Sequence, residues 1–196
     1  GAAAQLLTGI PAAWGVFQQP VMDEYGLSEQ GAGYAFGILI AAFGVGCVLG
    51  GFLQDSRGPR CAALWGTALL CGGFFAAAML PGGSAGSFFL AFSIPAGLGT
   101  AFLYPSIQSC AQKWYAGRKG LATGVIGGAV GLSGAFLTVF VRTAVSGFGI
   151  VQGIRGAFWA LGAITLPVCL AGSLLLQDPP QDAEKQQQSD KNTIDL

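Results

Sequence analysis

Long apolar stretches separated by brief polar interruptions run through almost the whole chain. No charged residue occurs from Gln30 to Gln54, and none from Cys61 to Gln112. A helix that crosses a bilayer needs about 20 apolar residues in succession. The first stretch therefore holds one crossing. The second, 52 residues long, is too long for one and is divided by Pro81-Gly-Gly-Ser-Ala-Gly-Ser87. Six spanning helices are predicted, over about 1–21, 28–53, 59–80, 88–112, 120–141 and 156–177. Pro11 is expected to kink the first, the run Asp23-Glu24-Tyr25-Gly26 to make the turn after it, and Ser28 to cap the second. Residues 178–196 are polar and poor in apolar side chains, which predicts a disordered tail or the start of a linker. The fold class is all-α, a multi-pass membrane protein.

Composition sharpens this. Of the 196 residues, 53% are hydrophobic and 9% are charged, against about 25% charged in an ordinary soluble domain. The formal net charge is zero, so no basic footprint for a nucleic acid exists. No histidine occurs anywhere; that removes His-based catalysis, His metal sites and His proton relays. Gly131-Leu-Ser133-Gly134 has the GxSG pattern of an intramembrane serine protease, but such a serine needs a His base. An enzyme is not expected, nor is a metal or a cofactor. The five cysteines lie among apolar residues without metal-binding spacing and read as packing residues. The chain opens at Gly1, already hydrophobic and without the charged start of a signal peptide. It is expected to be a fragment, cut near the start of its first helix.

Charge also orients the helices. Arg57, Arg60, Lys113, Arg118 and Lys119 fall on one side, Arg142 and Arg155 on the other. The more basic side is expected to be cytoplasmic, which places both termini there, and the plasma membrane is the expected host. Arg142 is expected to snorkel to the headgroups.

The polar turn between the second and third helices is unusual. Asp55 stands at the end of one helix and Arg60 at the start of the next, each at the unfavourable end of a helix dipole. Charges placed against their own helices imply partners elsewhere. Gly58 supplies backbone freedom for the turn, and Pro59 suits the first position of a helix. Small residues recur every four positions at Gly33, Gly37, Ala41, at Ala42, Gly46, Gly50, and at Gly120, Gly124, Gly128. Such faces let helices approach closely in lipid, whether for static packing or for sliding.

Polar residues within the spans are candidates for a wet cavity. In the fourth helix Ser93, Gly97, Thr100, Tyr104 and Gln108 share one face by their spacing. The first helix offers Gln5, Thr8, Trp14, Phe17 and Gln18. No carboxylate lies mid-membrane, so a proton-carrying Asp or Glu is not supplied by these helices.

Gly51-x-x-x-Asp55-x-x-Gly58-x-Arg60 resembles the signature loop of the major facilitator superfamily, with Ser56 standing where many members carry a base. Lys113-Trp-Tyr-Ala-Gly-Arg118-Lys119-Gly120-Leu-Ala-Thr-Gly124, with Trp14-Gly-Val-Phe17 and Tyr25-Gly-Leu-Ser28, resembles the oxalate/formate antiporter branch, related to the monocarboxylate transporters. The resemblance implies one six-helix half of a twelve-helix fold, with the C-terminal half, and its substrate-gripping bases, absent. It implies a secondary transporter of small organic anions such as oxalate and formate. Trp14, Phe17, Gln18, Thr100, Tyr104 and Gln108 would wall the cavity. Gly51, Asp55, Arg57, Gly58 and Arg60 would form a gating loop, with Lys113, Arg118 and Lys119 in a second cytoplasmic loop. Gly46, Gly50, Gly120, Gly124 and Gly128 would pack helices. The partners implied are the substrate anion, the bilayer and the missing half. A proton-coupled monocarboxylate carrier is the nearest alternative, and a self-contained six-helix scaffold a remote one.

Overall fold

In lipid every backbone polar group must be satisfied inside the chain, and the apolar stretches do so as helices. The computed structural model describes Gln5 and residues 9–80, 85–147 and 153–176; the expected tail at 178–196 lies outside these. Among the described residues there are six long helices. They are α1 (Ile10–Tyr25), α2 (Glu29–Arg57), α3 (Pro59–Met79), α4 (Ala85–Phe88, continued through Phe89–Ser93 into Ile94–Trp114), α5 (Lys119–Gly147) and α6 (Gly153–Leu175). Five of them, α2 to α6, are long and apolar enough to cross a membrane. The described part of α1 has 16 residues.

Local chemistry sets the ends. α1 runs through Asp23, Glu24 and Tyr25 rather than turning there, and breaks at Gly26 with φ 64°. Those side chains are compatible with helix, and only glycine takes the left-handed turn cheaply. Pro11 lies in the first turn of α1, where its missing N–H costs nothing, and the proline inside the described helix is Pro20; the kink expected at Pro11 involves residues 6–8, which lie outside the described residues. Ser28 caps α2, its Oγ accepting from the Gly31 N–H at 3.1 Å. α4 widens before Pro95: the Ile94 N–H reaches back five residues to the Phe89 carbonyl, giving a π turn over Phe89–Ser93. A ring without an N–H one residue later is a sufficient cause.

α4 is the central helix, packed between α2 and α3; α6 lies against α3, and α1 against α5. Glycines set these distances. A Cβ at Gly97 on α4 would stand 2.4 Å from the Leu39 carbonyl oxygen on α2, and one at Gly99 would stand 2.5 Å from the Leu70 nitrogen on α3. From α2, Gly46 faces Ala101 and Gly50 faces Phe102. Where α1 begins, a Cβ at Gly9 would fall on the Ser133 hydroxyl of α5, which donates to the Gly9 carbonyl at 3.3 Å.

An aromatic cluster fills the middle. Phe92 and Phe158 lie 5.1 Å apart between ring centres, Phe88 and Phe92 also 5.1 Å, and Phe74 and Phe92 6.0 Å. Lipid tails are as apolar as these rings, so close packing rather than water exclusion holds the cluster together.

Candidate functional site

The turn between α2 and α3 is tight because two residues fix it. Gly58 adopts φ 85°, and its N–H bonds back to the Gln54 carbonyl at 2.8 Å. Pro59 then opens α3 from the first position, buried while Arg60 beside it is exposed. Asp55, Arg57 and Arg60 are all exposed. Arg57 in the last turn of α2 suits the helix dipole; Asp55 and Arg60 oppose theirs. None of the three forms an ion pair among the described residues. The turn carries two uncompensated charges on a backbone that leaves little freedom. Gly51, one turn before Asp55, has open space where a side chain would be.

This rigidity extends to the neighbouring helices. Gln54 Nε2 donates to Ser109 Oγ on α4 at 2.7 Å, and Ser109 Oγ donates in turn to the Ser106 carbonyl at 3.3 Å. The other amide atom, Gln54 Oε1, is buried without a partner. Across the second short connection, a 3-10 turn over Ala116–Arg118, Gln112 Nε2 donates to Thr123 Oγ1 at 2.9 Å. Lys113, Arg118 and Lys119 are exposed there. One end of the bundle thus presents two basic connections, each fastened from beneath by an amide–hydroxyl bond. Neither Gln54 nor Ser109 stands out in the sequence, because a bond between residues 55 apart leaves no local pattern.

The six residues assigned to a cavity wall divide into two groups. Phe17 has no exposed surface and stacks on Phe158 at 5.9 Å. Trp14 is 5% exposed and stacks on Phe36 at 6.0 Å and on Phe92 at 6.4 Å. Both belong to the aromatic core of this bundle. Thr100 is also 5% exposed, with its hydroxyl unpartnered. Gln18, Tyr104 and Gln108 are half-buried and keep accessible surface. Gln5 Nε2, ahead of α1, donates to the Tyr104 carbonyl of α4 at 3.4 Å beside this group. The polar stripe on α4 is therefore not one surface. Ser93 and Gly97 are buried in helix contacts, whereas Tyr104 and Gln108 stand at the reachable end.

The glycine faces divide as well. Gly46 and Gly50 are buried against α4. Gly120, Gly124 and Gly128, with Gly127 and Gly131, are exposed, and no atom lies within 4 Å of where their Cβ would be. The same holds for Gly33, Gly37 and Gly44 on α2. Among the described residues nothing packs on the regular stripe on α5.

Among the described residues no group of three or more His, Cys, Asp or Glu is placed to hold a metal ion. The site's chemistry is that of contact and charge: polar side chains at a helix surface, and exposed charges on a stiff turn.

Comparison with known proteins fits this architecture. The Major Facilitator Superfamily profile matches residues 2–195. The oxalate:formate antiporter of Oxalobacter formigenes is 23% identical over 182 residues, 93% of this chain and 42% of its own length. Monocarboxylate transporter 9 of Rattus norvegicus is 29% identical over 177 residues, 87% of this chain and 32% of its own. A solved structure of the proton:xylose symporter XylE has the same fold, with a TM-score of 0.66 at 17% identity over 91% of this chain and 43% of that one. The chain thus spans less than half the length of the relatives it matches, and the superfamily is one of transporters rather than enzymes. The chain belongs to the Major Facilitator Superfamily.

Proposed function

We propose that this bundle is the N-terminal half of a secondary transporter that moves small organic anions, mono- or dicarboxylates, by alternating access. The observation that carries this is the α2–α3 turn, where Asp55 and Arg60 oppose their own helix dipoles and meet no partner among the described residues. Their partners lie on a second bundle. Asp55, Arg57 and Arg60, with Lys113, Arg118 and Lys119, latch against it on the cytoplasmic side of the plasma membrane. The open glycine faces of α2 and α5 receive its helices, since small residues allow backbones to approach and slide. Two packings of rigid bundles then need only a small bias to exchange. A few charge-assisted contacts, each about 1.5–3 kcal/mol, are of the right size.

Tyr104, Gln108 and Gln18 are the residues of this half that meet the substrate, because they carry polar groups and are only half-buried. Trp14, Phe17 and Thr100 are buried in the bundle and support it from within. The class of substrate rests on the likeness to the oxalate:formate antiporter. The likeness to monocarboxylate transporter 9 favours a second reading, a proton-coupled monocarboxylate carrier. Full-length protein in proteoliposomes, assayed with labelled oxalate, formate, lactate and pyruvate with and without a pH gradient, tests both. Exchange of one carboxylate for another without a pH gradient supports the first reading. Uptake that requires the gradient supports the second, and no uptake of any carboxylate overturns both.

A further inference from the structure

The end of the bundle opposite the turn carries charges with the same mismatch, but here they meet. Glu24 is the penultimate residue of α1 and Arg155 the third of α6. An acid at a helix C-terminus and a base at an N-terminus are each repelled by their own helix. Arg155 Nε lies 2.8 Å from Glu24 Oε1, with both side chains about a third exposed. The N–H is not aligned on the oxygen, so the contact is ionic rather than a linear hydrogen bond. Each charge is thereby brought to the helix end that favours it, Glu24 beside the start of α6 and Arg155 beside the end of α1.

Tyr25 extends the junction. Its ring is fully buried and packs on Phe88 of α4, 4.8 Å between centres. Its hydroxyl donates to the Ala77 carbonyl at 2.7 Å, in the last turn of α3, where the same oxygen also accepts the capping Leu80 N–H at 3.2 Å. Two adjacent residues of α1 therefore grip α3, α4 and α6 together, and Gly26 turns the chain away immediately after them.

We propose that Glu24, Tyr25 and Arg155 form a clasp that holds the ends of α1, α3 and α6 as one body at the end opposite the charged turn. The clasp rests on the transport reading only in its use: a bundle that rocks against another needs an end that does not fray. The mismatch that leaves charges exposed at the turn is cancelled internally here, so one end is built to engage a partner and the other to stay closed on itself.

Hydrogen exchange of the full-length protein in lipid nanodiscs tests this. Glu24→Gln and Arg155→Gln are each expected to raise exchange about two- to fivefold over residues 18–27 and 153–160, as loss of one half-exposed pair does, with residues 51–62 unchanged. The exchanged pair, Glu24→Arg with Arg155→Glu, is expected to restore most of the protection. Tyr25→Phe keeps the ring and is expected to raise exchange over residues 74–80. Wild-type exchange in both single charge variants, or no recovery in the exchanged pair, overturns the clasp. Carboxylate uptake by the same preparations separates the two ideas: if the wild type transports nothing but the variants show this exchange pattern, the clasp stands and the transport reading falls.

Discussion

Gln54 Nε2 on α2 donates to Ser109 Oγ on α4 at 2.7 Å, one residue before Asp55. This bond fastens the last turn of α2, which carries Asp55, to the central helix. Gln54→Leu removes the bond, worth about 1 kcal/mol net, but also removes a buried amide oxygen that has no partner. The two effects offset. The expected result is a melting temperature within a few degrees of wild type with a reduced rate of carboxylate uptake. Thermal unfolding and uptake measured on the same preparation check both halves.

The buried and the open glycines are expected to behave oppositely. Gly97→Ala puts a Cβ 2.4 Å from the Leu39 carbonyl oxygen and costs about 1–3 kcal/mol by overpacking, seen as lower folded yield and a lower melting temperature. Gly124→Leu meets open space within this bundle. It is expected to leave folding of this half intact while slowing transport, because the added side chain obstructs the second bundle. Yield of the isolated 1–196 chain compared with uptake by the full-length protein separates the cases.

Phe17 and Gln108 separate core from cavity. Phe17→Ala leaves a void beside Phe158 and is expected to cost about 3–5 kcal/mol, lowering the melting temperature. Gln108→Ala is expected to leave the melting temperature within a few degrees and to raise KM for the transported carboxylate.

The helices and the turn were legible because both are local. An apolar run of bilayer length becomes a helix, and Gly58-Pro59 can make only a tight turn before a new one. The Ser28 cap was equally readable. What was not legible is which face meets which. Trp14 and Phe17 look the same in sequence whether they line a cavity or fill a core. The structure places them in the core because Phe92 and Phe158 come from other helices. The Gly120, Gly124, Gly128 spacing announces a close contact but not with what, and none of the described residues makes it. The run Asp23 to Tyr25 looked like a turn because it is polar, but it stays helical and supplies the residues that reach Ala77 and Arg155. Ion pairs across more than a hundred residues leave no periodicity to read.

The central claim is that the α2–α3 turn holds charge ready for a second bundle. Initial uptake of labelled oxalate, formate or lactate, whichever the wild type carries, into proteoliposomes holding equal amounts of full-length wild-type or Asp55→Asn protein tests it most directly. Loss of one charge-assisted contact predicts uptake reduced roughly tenfold or more, with an unchanged melting temperature because Asp55 is exposed and forms no ion pair among the described residues. Uptake by Asp55→Asn equal to wild type would contradict the account.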